Sequence, residues 1–220
     1  MAALKYWVWL TALPGLSNRN RLLLLERYGS PEDVYYADPD ELAQVEGLTP
    51  GQAALLADKS LSRADRILAD CARGDMFLLT MQDAAYPARL RDIFDPPVLL
   101  YGKGSLPLFD EEAAIAVVGT RSCTPYGLRC AHRMGYELAR QGAVVVSGMA
   151  KGIDGAAMRG ALQAGGFTAA VLGGGVDVVY PAENRRLYED IAATGVLLSE
   201  YPPGTEPLPG HFPVRNRIIS

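Results

Sequence analysis

The spacing of apolar residues changes partway along the chain. Between residues 5 and 73 they recur at helical intervals. Trp7, Leu10 and Leu13 share one face before Pro14-Gly15 breaks the pattern, and Leu22 to Tyr28 makes a second apolar helix ended by Gly29-Ser30-Pro31. Asp38-Pro39-Asp40 opens another, with Asp38 as N-cap and Pro39 in the first helical position. From residue 113 the pattern is one of short β-branched runs between longer helical stretches. Strands are expected at 115–118, 143–147, 168–172 and 196–199, and helices at 125–141, 154–165 and 183–193. Unbroken apolar runs mark strands buried on both faces. Their alternation with helices implies right-handed βαβ units and a parallel sheet. The segment between carries two short strand patterns, Phe77-Leu78-Leu79-Thr80 and Val98-Leu99-Leu100-Tyr101. The expected organisation is a helical domain at 1–75, a connector at 76–112 and an α/β domain at 113–220.

Composition adds limits. The net charge of −4 argues against a uniformly basic nucleic-acid binder. The charge is uneven, however: residues 1–112 hold 11 basic and 17 acidic residues, a net of −6, and residues 113–220 hold 10 and 8, a net of +2. No run of eighteen apolar residues occurs and Met1 to Leu10 has no signal-peptide pattern, so neither a membrane span nor a leader is expected. Cys71, Cys123 and Cys130 are odd in number and form no C-x-x-C, which fits free thiols in a reducing cytoplasm.

The chemistry lies in the turns. Gly119-Thr120-Arg121, Ser147-Gly148-Met149-Ala150-Lys151-Gly152-Ile153-Asp154 and Gly173-Gly174-Gly175 each follow a strand. Such turns let backbone amides face an anion, and a parallel sheet delivers them all to its carboxyl edge. A phosphate-bearing ligand is expected there. Arg121 offers a planar fork for phosphate, or else a structural salt bridge. Lys151 can meet phosphate as a point charge, Asp154 is expected to cap the following helix, and the triple glycine implies a ligand or another chain against the backbone. Neither the G-x-G-x-x-G nor the Walker spacing is present. His211-Phe212-Pro213-Val214-Arg215-Asn216-Arg217, read as part of a rigid proline-rich loop, sets an aromatic ring beside two arginines, which suits a stacked base and its phosphates. No Ser-His-Asp set, metal-ligand cluster or carboxylate pair is evident. Val45-Glu46-Gly47-Leu48-Thr49-Pro50-Gly51-Gln52-Ala53 reads either as a helix-hairpin-helix turn, with Pro14-Gly15-Leu16 as an echo, or as a plain tight turn in a bundle.

Taken as an ordered set, these stretches resemble the DNA-processing protein A family, also called Smf. They are Val118-Gly119-Thr120-Arg121, Ser147-Gly148-x-Ala150-x-Gly152-Ile153-Asp154, Gly173-Gly174-Gly175-x-Asp177-x-x-Tyr180-Pro181-x-x-Asn184, Ser199-Glu200-Tyr201-Pro202 and Phe212-Pro213-x-Arg215-Asn216-Arg217. Tyr86-Pro87-x-x-Leu90 and Pro96-Pro97-x-Leu99 resemble the family's interdomain segment. The resemblance implies an α/β fold: a Rossmann-like, mostly parallel sheet preceded by a small all-α, sterile-alpha-motif-like (helix-hairpin-helix-like) domain. It implies a cytoplasmic protein that binds incoming single-stranded DNA in natural transformation and loads the RecA recombinase, as a homodimer in the full-length protein, with no cofactor, metal or catalytic residue. The residues expected to bind DNA are Gly119, Thr120, Arg121, Gly148, Lys151, Gly173, Gly174, Asn184, Phe212, Arg215, Asn216 and Arg217. Met158 stands where the family often has a histidine. The chain stops at Ile218-Ile219-Ser220 with four parallel strands, so further strands are expected beyond it. The alternative class is a nucleotide-binding enzyme of the lysine-decarboxylase-like phosphoribohydrolase type. Its members follow the glycine turn with Thr and Glu, where this chain has Val176-Asp177-Val178-Val179.

Overall fold

The computed structural model describes residues 3–220. Six helices come first: α1 (Leu4–Ala12), α2 (Asn18–Tyr28), α3 (Pro31–Tyr36), α4 (Pro39–Ala43), α5 (Pro50–Ala57) and α6 (Ser62–Arg73). Several starts are set by side chains that satisfy first-turn amides. Ser17 accepts from the Asn20 amide at 3.2 Å, Ser30 from Asp33 at 3.1 Å and Asp38 from Asp40 at 2.8 Å. Thr49 and Gln52 form a reciprocal capping box at α5, with Pro50 as the first helical residue. Gly29 closes α2 in the left-handed region at φ +85°.

The rest is built on one six-stranded sheet: β1 (Phe77–Thr80), β2 (Leu99–Gly104), β3 (Ala114–Ala116), β4 (Val144–Ser147), β5 (Thr168–Val171) and β6 (Val196–Ser199), in the order β1-β2-β6-β5-β4-β3. Strands β3 to β6 are parallel. The two strands of the connector join the same sheet in antiparallel fashion beyond β6. The sheet is therefore mixed and mostly parallel, the expected α/β class. Its helices are α7 (Ala88–Arg91), α8 (Pro125–Arg140), α9 (Ile153–Gln163), α10 (Arg185–Thr194) and α11 (His211–Ile219).

Side-chain alternation on β4 to β6 divides the core. Val144, Val146, Ala169, Val171, Val196 and Leu198 pack on one face with Phe109 and Ile219. On the other face Tyr101, Ala170 and Leu197 share a cluster with Trp7, Leu10, Leu24 and Leu56 of the helical segment and with Leu187 and Ile191 of α10. The helical segment and the sheet are thus bound through one continuous core.

Helices α8 and α9 lie unusually close because both present glycine at the crossing. A methyl group at Gly135 would overlap the carbonyl oxygen of Ala157, and one at Gly160 that of His132. Gly135→Ala is expected to lower stability by about 1–3 kcal/mol through overpacking. Gly210→Ala, where nothing lies within 4 Å, should stay within about 0.5 kcal/mol of the parent. Urea denaturation of both variants checks the pair.

The expectation for 211–217 needs correcting. These residues form α11 rather than a proline-rich loop. Pro213 is tolerated because it lies in the first turn, where the backbone amide has no intrahelical acceptor to lose.

Candidate nucleic-acid interface

Strands β3, β4, β5 and β6 deliver their following turns to one edge, and α11 lies across that edge. A cleft of about 230 Å³ opens there, its lining including Arg121, Gly148, Lys151, Gly173, Gly174, Phe212 and Arg215, with Val178, Tyr180 and Pro207 in the rest of the wall. Three of the lining residues are cations and none is a carboxylate. A second cavity, of about 430 Å³, lies on the other side of Arg121, Phe212 and Arg215, and Gly119, Asp154 and Asn216 border it.

The Phe212 ring is the centre of this arrangement. The Arg121 guanidinium lies 5.3 Å from its centroid and that of Arg215 lies 5.8 Å away, both within cation–π range. Tyr180 leans on the same ring at 5.6 Å. Arg121 is exposed and, among the described residues, has no carboxylate partner within 4 Å. The salt-bridge reading of Arg121 therefore finds no partner.

Arg215 differs in every respect. It is 6% exposed and donates to the carbonyls of Gly148 and Val171 and to Asn216 Oδ1. Burial weakens its hold on the proton, Asp154 opposes that effect, and Arg121 adds to it. Gly148 is glycine because a Cβ there would press on the Arg215 guanidinium at 2.6 Å. Gly173 likewise leaves room for the Phe212 ring, 2.9 Å from where its Cβ would be. Gly174 and Gly175 admit the backbone of residues 202–207, to which the Gly175 amide donates at Thr205 O, 2.9 Å. The close approach implied by the triple glycine is made by the chain itself.

Other expected site residues take bracing positions. Asn184 is buried; it donates to Met149 O at 2.9 Å and Ala150 O at 3.3 Å and accepts from Arg159 at 3.2 Å. It holds the turn in which Met149 adopts φ +54°. Lys151 is paired with Glu183 at the rim, which holds the Glu183 carboxyl below the usual carboxylate range. Thr120 is engaged with the backbone of Ser122 at 3.2 Å and does not line the cleft. Asp154 does not cap α9. It sits inside the first turn, where its carboxylate accepts from the Gly119 amide at 3.1 Å and ties two glycine turns together. Arg217 is turned away from the cleft and paired with Glu200 and Asp95. Tyr180 is a lining residue that sequence reasoning passed over, although Tyr180-Pro181 lay within a quoted motif; Pro207 belongs to the proline-rich stretch expected beside the site.

Among the described residues, no group of three or more metal-ligating side chains comes together, and no helix is long and apolar enough to cross a membrane. Cys71, Cys123 and Cys130 are free thiols.

A mostly parallel sheet with glycine turns and three cations gathered at its carboxyl edge defines a Rossmann-like protein with an anion-facing cleft. Comparison with known proteins narrows that class. Residues 77–220 match the DNA recombination-mediator protein A family, and the chain belongs to it. The protein Smf of Synechocystis is 35% identical over 219 residues, covering 98% of this chain and 55% of its own length. The X-ray structure of DNA processing protein A from Streptococcus pneumoniae superimposes with a TM-score of 0.82 at 36% identity, over 98% of this chain and 74% of that one. The DNA processing protein A of Helicobacter pylori, solved for its single-stranded DNA binding mode, matches with a TM-score of 0.58 at 35% identity, over 64% of each chain. The chain spans about half the length of the curated relatives it matches.

Proposed function

We propose that this chain binds single-stranded DNA in the cleft at the carboxyl edge of β3 to β6, and that it serves recombination by presenting that strand to the RecA recombinase. Arg121 and Lys151 contact the backbone, Phe212 with Tyr180 stacks a base, and Gly148, Gly173 and Gly174 form the floor, while Gly119, Thr120, Asn184, Arg215 and Asn216 shape the turns and helix around them. The observation that carries the reading is a cleft with three cations, two aromatic rings and no carboxylate. A narrow groove with a stackable ring suits an unpaired strand, and α11 lies across a sheet edge rather than projecting as a recognition helix.

The role is binding rather than catalysis, in the cytoplasm, with the protein acting as a homodimer. The phosphoribohydrolase reading lacks its acidic group: Val176 is buried, and both Asp177 carboxylate oxygens accept from the Gly204 amide, at 2.9 and 3.0 Å.

Anisotropy with a labelled thymidine oligomer and a duplex of equal length tests this. Affinity for the oligomer should be the higher and should fall steeply with salt. Equal affinity for the duplex would overturn the reading. Glu183→Gln should tighten oligomer binding, because it releases Lys151 and removes a negative charge from the rim.

A further inference from the structure

Arg217 is the hub of a polar network outside the cleft. Its Nη1 and Nη2 donate to Glu200 Oε2 and Oε1, both at 2.6 Å. Its Nε is shared between the Asp95 carbonyl at 2.7 Å and Asp95 Oδ2 at 3.0 Å. On the far side of Asp95, Asn18 donates to Oδ1 at 2.9 Å and to Pro96 O at 2.8 Å. Four distant segments therefore meet: the first residue of α2, the loop before β2, the residue after β6, and α11.

An exposed ion pair would contribute little. Here the Arg217 and Glu200 side chains are only 19% and 16% exposed, and the guanidinium is gripped as a two-pronged fork. What the grip fixes is α11. Arg215 and Arg217 are two residues apart, about 200° around the helix. One anchors to Gly148 and Val171 at the end of the sheet, and the other anchors the opposite flank to Glu200 and Asp95. Phe212, one turn earlier on the same helix, is the ring against which Arg121 rests.

We infer that Glu200, Asp95 and Arg217 are positioning residues for single-strand binding, a clamp that sets α11 without touching DNA, and that Asn18 ties α2 to it. This rests on the reading of the cleft given above. The clamp predicts a sign that plain electrostatics does not. DNA is a polyanion, so loss of a nearby carboxylate should tighten binding if charge alone mattered. If the clamp sets α11, loss of the carboxylate weakens binding.

The test is oligomer anisotropy across a salt series, at a temperature where melting curves show each variant fully folded. A role in stability alone would leave that affinity unmoved. Glu200→Gln and Arg217→Met are each expected to weaken binding about tenfold, and Asn18→Ala about threefold, with the slope of log affinity against log salt unchanged. Unchanged or tighter binding by Glu200→Gln overturns the inference. So does a slope reduced by about one in Arg217→Met, the mark of a direct phosphate contact. If either of those variants fails to fold, Asn18→Ala and Asp95→Asn decide the question by the same criterion. Arg121→Ala is run alongside. If it binds as the parent does, the reading of the cleft fails; if it alone loses affinity, only the clamp fails.

Discussion

Replacing Arg121 with alanine is expected to weaken single-strand binding by about 1–3 kcal/mol, the range for a lost charge-assisted contact, and to leave the melting temperature unchanged. The separation of the two effects follows from its surroundings. Arg121 is exposed, has no carboxylate partner among the described residues and rests on the Phe212 ring. Its removal leaves no buried group unsatisfied, so the folded state loses little. Its guanidinium nevertheless borders both cavities of the interface, where a backbone phosphate would be shared between neighbouring nucleotides. Arg121→Lys should recover only part of the loss, because an ammonium cannot reproduce the planar fork or its stacking on the ring. Anisotropy titrations beside thermal melts test both halves. A variant that loses stability along with affinity would move Arg121 to a structural role.

The sheet could be read from the chain because its strands obey a simple rule. Ala143-Val144-Val145-Val146 and Ala169-Ala170-Val171-Leu172 are short unbroken apolar runs bounded by glycine turns, the composition of strands covered on both sides. The cap of α4 was legible for a similar reason: Asp38 before Pro39 has its partner two residues away, whereas Ser17, Ser30 and Thr49, which cap α2, α3 and α5, were not read as caps. Pairing beyond that range was not legible. The strands at 77–80 and 98–101 were visible as apolar runs, but no local pattern says that they pair with each other and that the second joins β6 in antiparallel fashion. Helix α11 was obscured by Pro207, Pro209 and Pro213, whose density reads as loop until Pro213 is placed in a first turn.

The interface was legible as a set of turns and illegible in its division of labour. Topology alone gathers the turns after β3, β4 and β5, so the meeting of Arg121, Gly148 and Gly173 follows from strand order. Which arginine faces the cleft depends on helical phase. Arg215 and Arg217 look equivalent in sequence, and once the segment is helical they lie on opposed flanks. Asp154 was misjudged in the same way: its position in the first turn suggested a cap, but its acceptor reaches a different turn, thirty-five residues earlier. Long-range hydrogen bonds of that kind leave no spacing in the chain to read.

Removing Arg215 should have the reverse signature of removing Arg121. Arg215→Ala is expected to cost about 2–6 kcal/mol of folding stability, because two buried carbonyls, at Gly148 and Val171, lose their donor at about 1–3 kcal/mol each. Those carbonyls open the turns after β4 and β5, so the loss also loosens the edge on which the cleft is built. Single-strand affinity should fall as well, since Phe212 loses the guanidinium that backs its ring. Arg215→Lys should lie between the parent and the alanine variant: an ammonium keeps the charge but cannot span both carbonyls in the plane of a fork. Urea denaturation should show a lower midpoint with an unchanged slope, the mark of a change in stability rather than in the unfolded ensemble. Combined with Arg121→Ala, the effects on affinity should fall short of additive, because both arginines act through one ring. Strict additivity in the double variant would mean that Phe212 does not link the two, and a parent-like midpoint for Arg215→Ala would mean that the buried guanidinium is not what holds the turns.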